Sequence, residues 1–210
     1  TVKTDFDVKN NQDLGSDVGL NSFFGLPVFD DDVISSDSVS DKYIRAVDVF
    51  DNGSGVISTE TKNQFVGIST NVSLKAFSSA GAWRYKQFLS SLRGRQKPFF
   101  IPSKNSDFII LEDLAAASSS IRIKSIGFTL FYENQFVMLK LKSGDQFYAR
   151  ILSSSIDNDG SELLNINAAL GIDIAKTDIL KACLLRHVRL DTDKIDITRS
   201  VGNHFSCTFS

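Results

Sequence analysis

Nucleophilic catalysis needs a thiol or hydroxyl beside a base, and this chain of 210 residues has few bases: its only histidines are His187 and His204. His187 lies in the apolar–basic run Leu184-Leu185-Arg186-His187-Val188-Arg189, and His204 follows a Gly202-Asn203 turn. Nothing in the sequence marks either as the base for Cys183 or Cys207, so neither is expected to be catalytic. Two histidines and two cysteines late in the chain, with no CxxC pair, give no zinc-ligand spacing. Asp157-Asn158-Asp159-Gly160 starts like a calcium loop, but Glu162 comes too early to close one, so a plain turn is expected. Asp30-Asp31-Asp32 are consecutive, point in different directions and are expected to stay solvated. GxGxxG, GxxxxGK[ST] and GxSxG are all absent. The expectation is a protein that is not an enzyme and carries no cofactor and no metal.

The elements that hold these residues read mostly as strands. Residues 1–42 are rich in Asp, Ser and Asn, with apolar islands at Phe23-Phe24 and Leu26-Pro27-Val28-Phe29; little regular structure is expected before Asp41. This arm is expected to order against a neighbouring chain. From Tyr43 the apolar period becomes two, and Asn52-Gly53 is a strong hairpin signal because both residues tolerate positive φ. Residues 80–93 read as one amphipathic helix: Trp83, Phe88, Leu89 and Leu92 fall at helical spacing, Ser78 or Ser79 caps the start, and Gly94 stands at the C-terminal end. Trp83 is therefore expected to be buried. Pro98 and Pro102 then forbid helix and favour an extended segment in which Phe99 and Phe100 are read as core. Further strands are expected at 107–111, 121–124, 136–142, 146–152, 163–167, 184–190, 194–198 and 204–209, with 176–184 open between strand and helix.

Charge and composition bound the partners. Residues 1–60 carry net −8, residues 61–150 net +8 and residues 151–210 net −2. A basic middle can attract phosphates, but opposed surfaces within or between subunits account for the same pattern, so nucleic acid is not expected as a partner. No apolar run is long enough to span a membrane. No basic stretch precedes an apolar segment, so no secretory signal is expected, and the two cysteines are expected as buried thiols. Seventeen Phe supply apolar area for cores and for subunit contacts.

One segment is specific. Trp83 to Ser103 reads WRYKQFLSSLRGRQKPFFIPS. It resembles a family of tailed-bacteriophage tail proteins whose helix runs into a GRQ-x-FW-x-P segment. Gly94-Arg95-Gln96 and Phe99-Phe100-Ile101-Pro102 match it, with Phe100 in place of the usual tryptophan. Val28-Phe29-Asp30, Val47-Asp48-Val49-Phe50-Asp51, Arg189-Leu190-Asp191, Ile195-Asp196-Ile197 and Phe205-Ser206-Cys207-Thr208-Phe209 fit the same pattern, which spans residues 28–210. The resemblance implies a virion structural protein of the tail tip, distal tail or baseplate ring, made in the bacterial host cytoplasm. It would assemble with itself and with other tail proteins.

Two rival readings stand beside it: a host-surface carbohydrate or receptor-binding module, and a capsid decoration or head–tail connector protein. The candidate assembly residues are Trp83, Arg93, Gly94, Arg95, Gln96, Phe99, Phe100 and Pro102. Arg93 and Arg95 are either solvated helix ends or, for Arg95 at a sharp corner, a bidentate clamp on a carboxylate or on backbone carbonyls. The clamp would lie within the domain or across a subunit boundary. The expected fold is mainly β (α+β): hairpins forming a small barrel or sandwich, with the helix at about 80–93 packed on it. The expected organisation is an arm at 1–42, a hairpin–helix part at 43–113 and an all-β part at 114–210.

Overall fold

The computed structural model describes residues 20–30, 40–44, 47–51, 53, 55, 57–61, 67–103, 105–131, 135–200 and 204–209. The first elements are β1 (Ser22–Phe23), β2 (Leu26–Pro27), β3 (Ser40–Ile44), β4 (Val47–Asp51), β5 (Ile57–Thr61), β6 (Gly67–Ala76), α1 (Ser79–Leu92) and β7 (Phe99–Pro102). They continue as β8 (Ser120–Ile123), α2 (Phe128–Phe131), β9 (Phe136–Leu141), β10 (Gln146–Ile156), β11 (Glu162–Ile166), β12 (Ile179–Val188), β13 (Ile197–Ser200) and β14 (His204–Phe209). The chain is mainly β, as the periodicity predicts. No helix among the described residues is long and apolar enough to cross a membrane.

Two compact units interleave along the chain. One comprises Thr1–Val18, Asp31–Lys97 and Arg189–Ser210; the other comprises Gly19–Asp30 and Pro98–Val188. The boundary read after residue 113 thus falls inside the second unit. The charge blocks read along the sequence do not coincide with the two units. The first unit holds 14 acidic and 14 basic residues, and the second 11 acidic and 9 basic.

In the first unit, β13, β14, β6 and β3 form an antiparallel sheet in that order. Along β6 the side chains alternate, so Val72, Leu74 and Ala76 share one buried face, and α1 packs on it. The Tyr85 and Phe205 rings meet there at 6.1 Å. Among the described residues, strands β4 and β5 pair only with each other.

In the second unit, six antiparallel strands run in the order β7-β12-β9-β10-β11-β8. The sheet is open; it does not close into a barrel. Strand β10 makes the bend. Its first half pairs with β9, its second half pairs with β11, and the register shifts between Ile151 and Ser153. One face of the sheet buries Ile121, Val137, Leu139, Ile151 and Leu164 among their neighbours. The other face buries Phe100, Met138, Cys183 and Leu185, and Val28 covers them.

That cover corrects the expectation of little structure before Asp41. Residues 22–27 form a hairpin, and Val28 and Phe29, at 0% and 1% exposure, dock on the chain's own sheet. The Phe29 N–H donates to the Phe100 carbonyl at 2.7 Å. The hairpin turns on Phe24 (φ 50°) and Gly25 (φ 73°), the two positive angles a tight primed turn needs. Phenylalanine is rare in that region, which hides the turn in the sequence. The remainder of the arm, at 1–19 and 31–39, lies outside the described residues. Two smaller differences are local. Of the strand expected at 107–111, only Ile110 pairs, with Ile123, while Asp107 turns its carboxylate onto the Leu184 N–H. Residues 176–178 form a single 3-10 turn before β12.

Candidate functional site

Helix α1 begins where Ser78, extended at φ −134°, accepts a hydrogen bond from the Gly81 N–H at 3.1 Å. Its buried stripe is Tyr85, Phe88, Leu89 and Leu92, the i, i+3, i+4, i+7 pattern of one helical face. Trp83 is not on it. At about 100° per residue it lies opposite Leu92, and it is 59% exposed, which overturns its expected burial.

The helix stops at two successive left-handed residues, Arg93 (φ 52°) and Gly94 (φ 65°). Gly94–Gln96 form a 3-10 turn, and the Lys97 N–H donates back to the Leu92 carbonyl at 3.1 Å. Asp193 fixes this corner: its carboxylate accepts the Arg95 N–H at 2.9 Å. A Cβ on Gly94 would overlap that carboxylate and lie 3.2 Å from the Asp193 Cα, so glycine is required for space as well as for φ. The side chains of Arg95, Gln96 and Lys97 are exposed. Among the described residues the guanidinium clamp is not formed. Arg95 is bound through its backbone, and its guanidinium has no partner among the described residues. The sequence reading missed Asp193, because a contact 98 residues away leaves no local signal.

Beyond Pro98, β7 buries Phe99 and Phe100, each 2% exposed, on its opposite faces, while Pro102 is half-buried. Phe100 stacks among Phe23 (5.4 Å), Phe136 (5.0 Å) and His187 (5.2 Å).

The β4–β5 hairpin is the opposite case. Val47, Val49, Phe50 and Ile57 are 44%, 62%, 56% and 61% exposed. Alternation and register put Val47, Val49, Ile57 and Thr59 on one face, and Asp48, Phe50 and Glu60 on the other. Asp48 and Glu60 are direct cross-strand partners. Residues 47–61 contain three acidic side chains and no basic one.

Several of the groups first weighed for chemistry have structural roles. His187 is exposed against the Phe100 ring. Cys183 is buried, and burial pushes its thiol up to about 11, so it is no thiolate at neutral pH. The side chains of Cys207 and His204 lie outside the described residues. In the Asp157–Gly160 turn, Asp157 and Asp159 face the Arg122 guanidinium, which also meets Glu112 at 3.5 Å. Among the described residues no cluster of His, Cys, Asp and Glu is arranged to hold a metal.

One buried charge is a finding of the structure. Glu162, fully enclosed, accepts hydrogen bonds from the Ser125 hydroxyl (2.7 Å) and from the backbone N–H groups of Ile126, Gly127 and Thr129 (2.7–3.0 Å). Burial alone would raise its carboxyl, but these donors outweigh it and hold the group below the usual carboxylate range. It pins α2 to the sheet.

Comparison with known proteins adds no identity. No family model matches the chain, and no curated protein matches it.

Proposed function

We propose that this chain is a structural subunit of a bacteriophage tail, at the tail tip, distal tail or baseplate ring, and that it assembles with copies of itself and with other tail proteins. The tail assignment rests on the Gly94-Arg95-Gln96 … Phe99-Phe100-Ile101-Pro102 segment and its resemblance to tail proteins. The subunit assignment rests on one observation: β4 and β5 form a hairpin with four exposed large apolar side chains and join no further strand among the described residues. A lone two-stranded hairpin is marginal in water, and apolar side chains of this kind are stabilised when a neighbour covers them.

The test is sedimentation velocity of the full chain over a wide concentration range. Self-association is expected, and Val49→Ser with Phe50→Ser should abolish it without changing the fold seen by circular dichroism. A chain that stays monomeric throughout would sink the reading. Labelled protein located in electron micrographs of intact particles would then test the tail assignment.

The exposed indole of Trp83 favours a second reading, a carbohydrate-binding module at the tail tip. Quenching or a blue shift of the chain's only Trp on addition of host-surface polysaccharide would support that reading; an unchanged spectrum would remove it.

A further inference from the structure

The pairing of β3 with β6 ends in an apolar row that its own unit leaves open. Along β6, Ile68, Thr70, Val72, Leu74 and Ala76 share one face. Helix α1 packs on this face, where Val72, Leu74 and Ala76 are buried. Ile68 is 53% exposed, and Tyr43, its direct partner on β3, is 66% exposed. Directly opposed side chains lie on the same face, so the two form one row. The Asp41–Thr70 pair is a polar row between it and the buried end.

The β4–β5 hairpin is an arm rooted at this same end. Ile44–Gly67 is the last pair of β3 with β6, and Val47–Thr61 is the first pair of β4 with β5. Only residues 45–46 and 62–66 lie between them, so Val47 stands within about 11 Å of Ile44. Root and row therefore adjoin, yet within one copy neither covers the other: Tyr43, Ile68, Val47, Val49 and Ile57 all stay exposed. At the arm's tip Asp51, the partner of Ile57, accepts the Gly53 N–H at 2.9 Å and closes the turn. The apolar surface is thus bounded by polar residues at both ends, as an interface with a polar rim is.

We propose that two copies pair about a two-fold axis, the arm of each lying on the Tyr43–Ile68 row of the other. The occupant is a second copy because the two patches adjoin and are both apolar, so one axis seats both arms at once. Large apolar side chains this exposed offer on the order of 100 Å² apiece, so the five supply roughly 500 Å² of the about 800 Å² that each partner of a stable pair covers. This rests on the self-assembly reading above and adds the receiving surface and the symmetry.

The test uses the full chain by sedimentation velocity. Tyr43→Ser with Ile68→Ser leaves the arm intact and should weaken dimer formation about tenfold or more, whereas Tyr43→Phe with Ile68→Val should keep it. High salt should leave the unaltered dimer in place; a dimer that salt dissociates would be an ionic contact and would overturn the proposal. Position is read by cysteine pairing in a Cys207→Ser background, where buried Cys183 is the one other thiol. Mixing Tyr43→Cys chains with Val49→Cys chains under mild oxidation should give a covalent dimer holding one chain of each kind. Circular dichroism establishes that each variant is folded. Association that survives Tyr43→Ser with Ile68→Ser, without a mixed covalent dimer, overturns the receiving row and leaves the subunit reading standing. Growth into open-ended chains overturns the two-fold contact in the same way. A chain monomeric at every concentration overturns both readings.

Discussion

Two hairpins of this chain make a direct comparison. β1–β2 is only two residues a side, yet it is tied down: Phe23 packs among Phe100, Phe136 and Tyr148 at 5.4–5.9 Å, and Val28 behind it is completely buried. A polar latch closes its far end, where Asn21, Asp30, Gln146 and the Tyr148 hydroxyl bond to one another. β4–β5 is longer, five residues a side, and among the described residues pairs only with itself. Length therefore does not decide whether a hairpin is held. What decides is whether a sheet face offers apolar partners: the second unit does so at Phe100, Met138, Cys183 and Leu185. The short hairpin completes a fold, and the long one presents unused apolar surface.

The largest effect should come from the covered side. Phe100→Ala removes a ring with three aromatic neighbours from a site 2% exposed, and should cost about 3–5 kcal/mol in denaturant unfolding. Phe50→Ala, at 56% exposure, should cost the dilute chain less than about 0.5 kcal/mol. Equal costs at the two sites would break the comparison.

The next effect separates two glutamates. Glu162→Gln leaves buried N–H donors without their carboxylate and should cost about 1–3 kcal/mol; Glu60→Gln, exposed on the bare hairpin, should cost almost nothing. Glu162 also sets a pH dependence. Its folded carboxyl is held below its unfolded value, so its contribution is fully present above the unfolded pKa of about 4.3. That contribution is lost as pH falls further through the lower, folded value. Unfolding curves between neutral and strongly acidic pH should show this fall in the wild type and a shallower one in Glu162→Gln.

Smaller again is the corner. Gly94→Ala puts a Cβ at φ 65° against Asp193 and should cost about 1–2 kcal/mol. A melting temperature unchanged by Gly94→Ala would remove the argument that the corner is rigid. The smallest effect is Trp83→Ala, expected within about 0.5 kcal/mol because the indole faces away from the stripe that ends in Leu92.

What the sequence made legible was whatever repeats locally. Alternation locates β8, β9 and β11 to within a residue, stops β10 four residues short and finds only the second half of β12, while Ser78 and Gly94 delimit α1. Trp83 misled because hydrophobicity was counted without its angle: five residues before Phe88 is about 140° around the helix, not the same face. The β1–β2 hairpin was hidden by a phenylalanine at positive φ. Asp193 under Gly94, and Glu162 under α2, act across 98 and 33–37 residues, distances that no local pattern encodes. The charge blocks along the sequence pointed toward assembly for a reason the two units do not share. The exposed apolar hairpin carries that argument instead.

The central claim is that β4–β5 is finished by a neighbour whereas β1–β2 is finished by its own chain. Amide hydrogen exchange of the full chain, read by mass spectrometry at low and high protein concentration, tests it directly. Residues 47–61 should exchange fast when dilute and become protected as concentration rises, while residues 22–29 stay equally protected throughout. Protection of residues 47–61 that is already complete in the dilute monomer, or that never changes with concentration, would contradict the account.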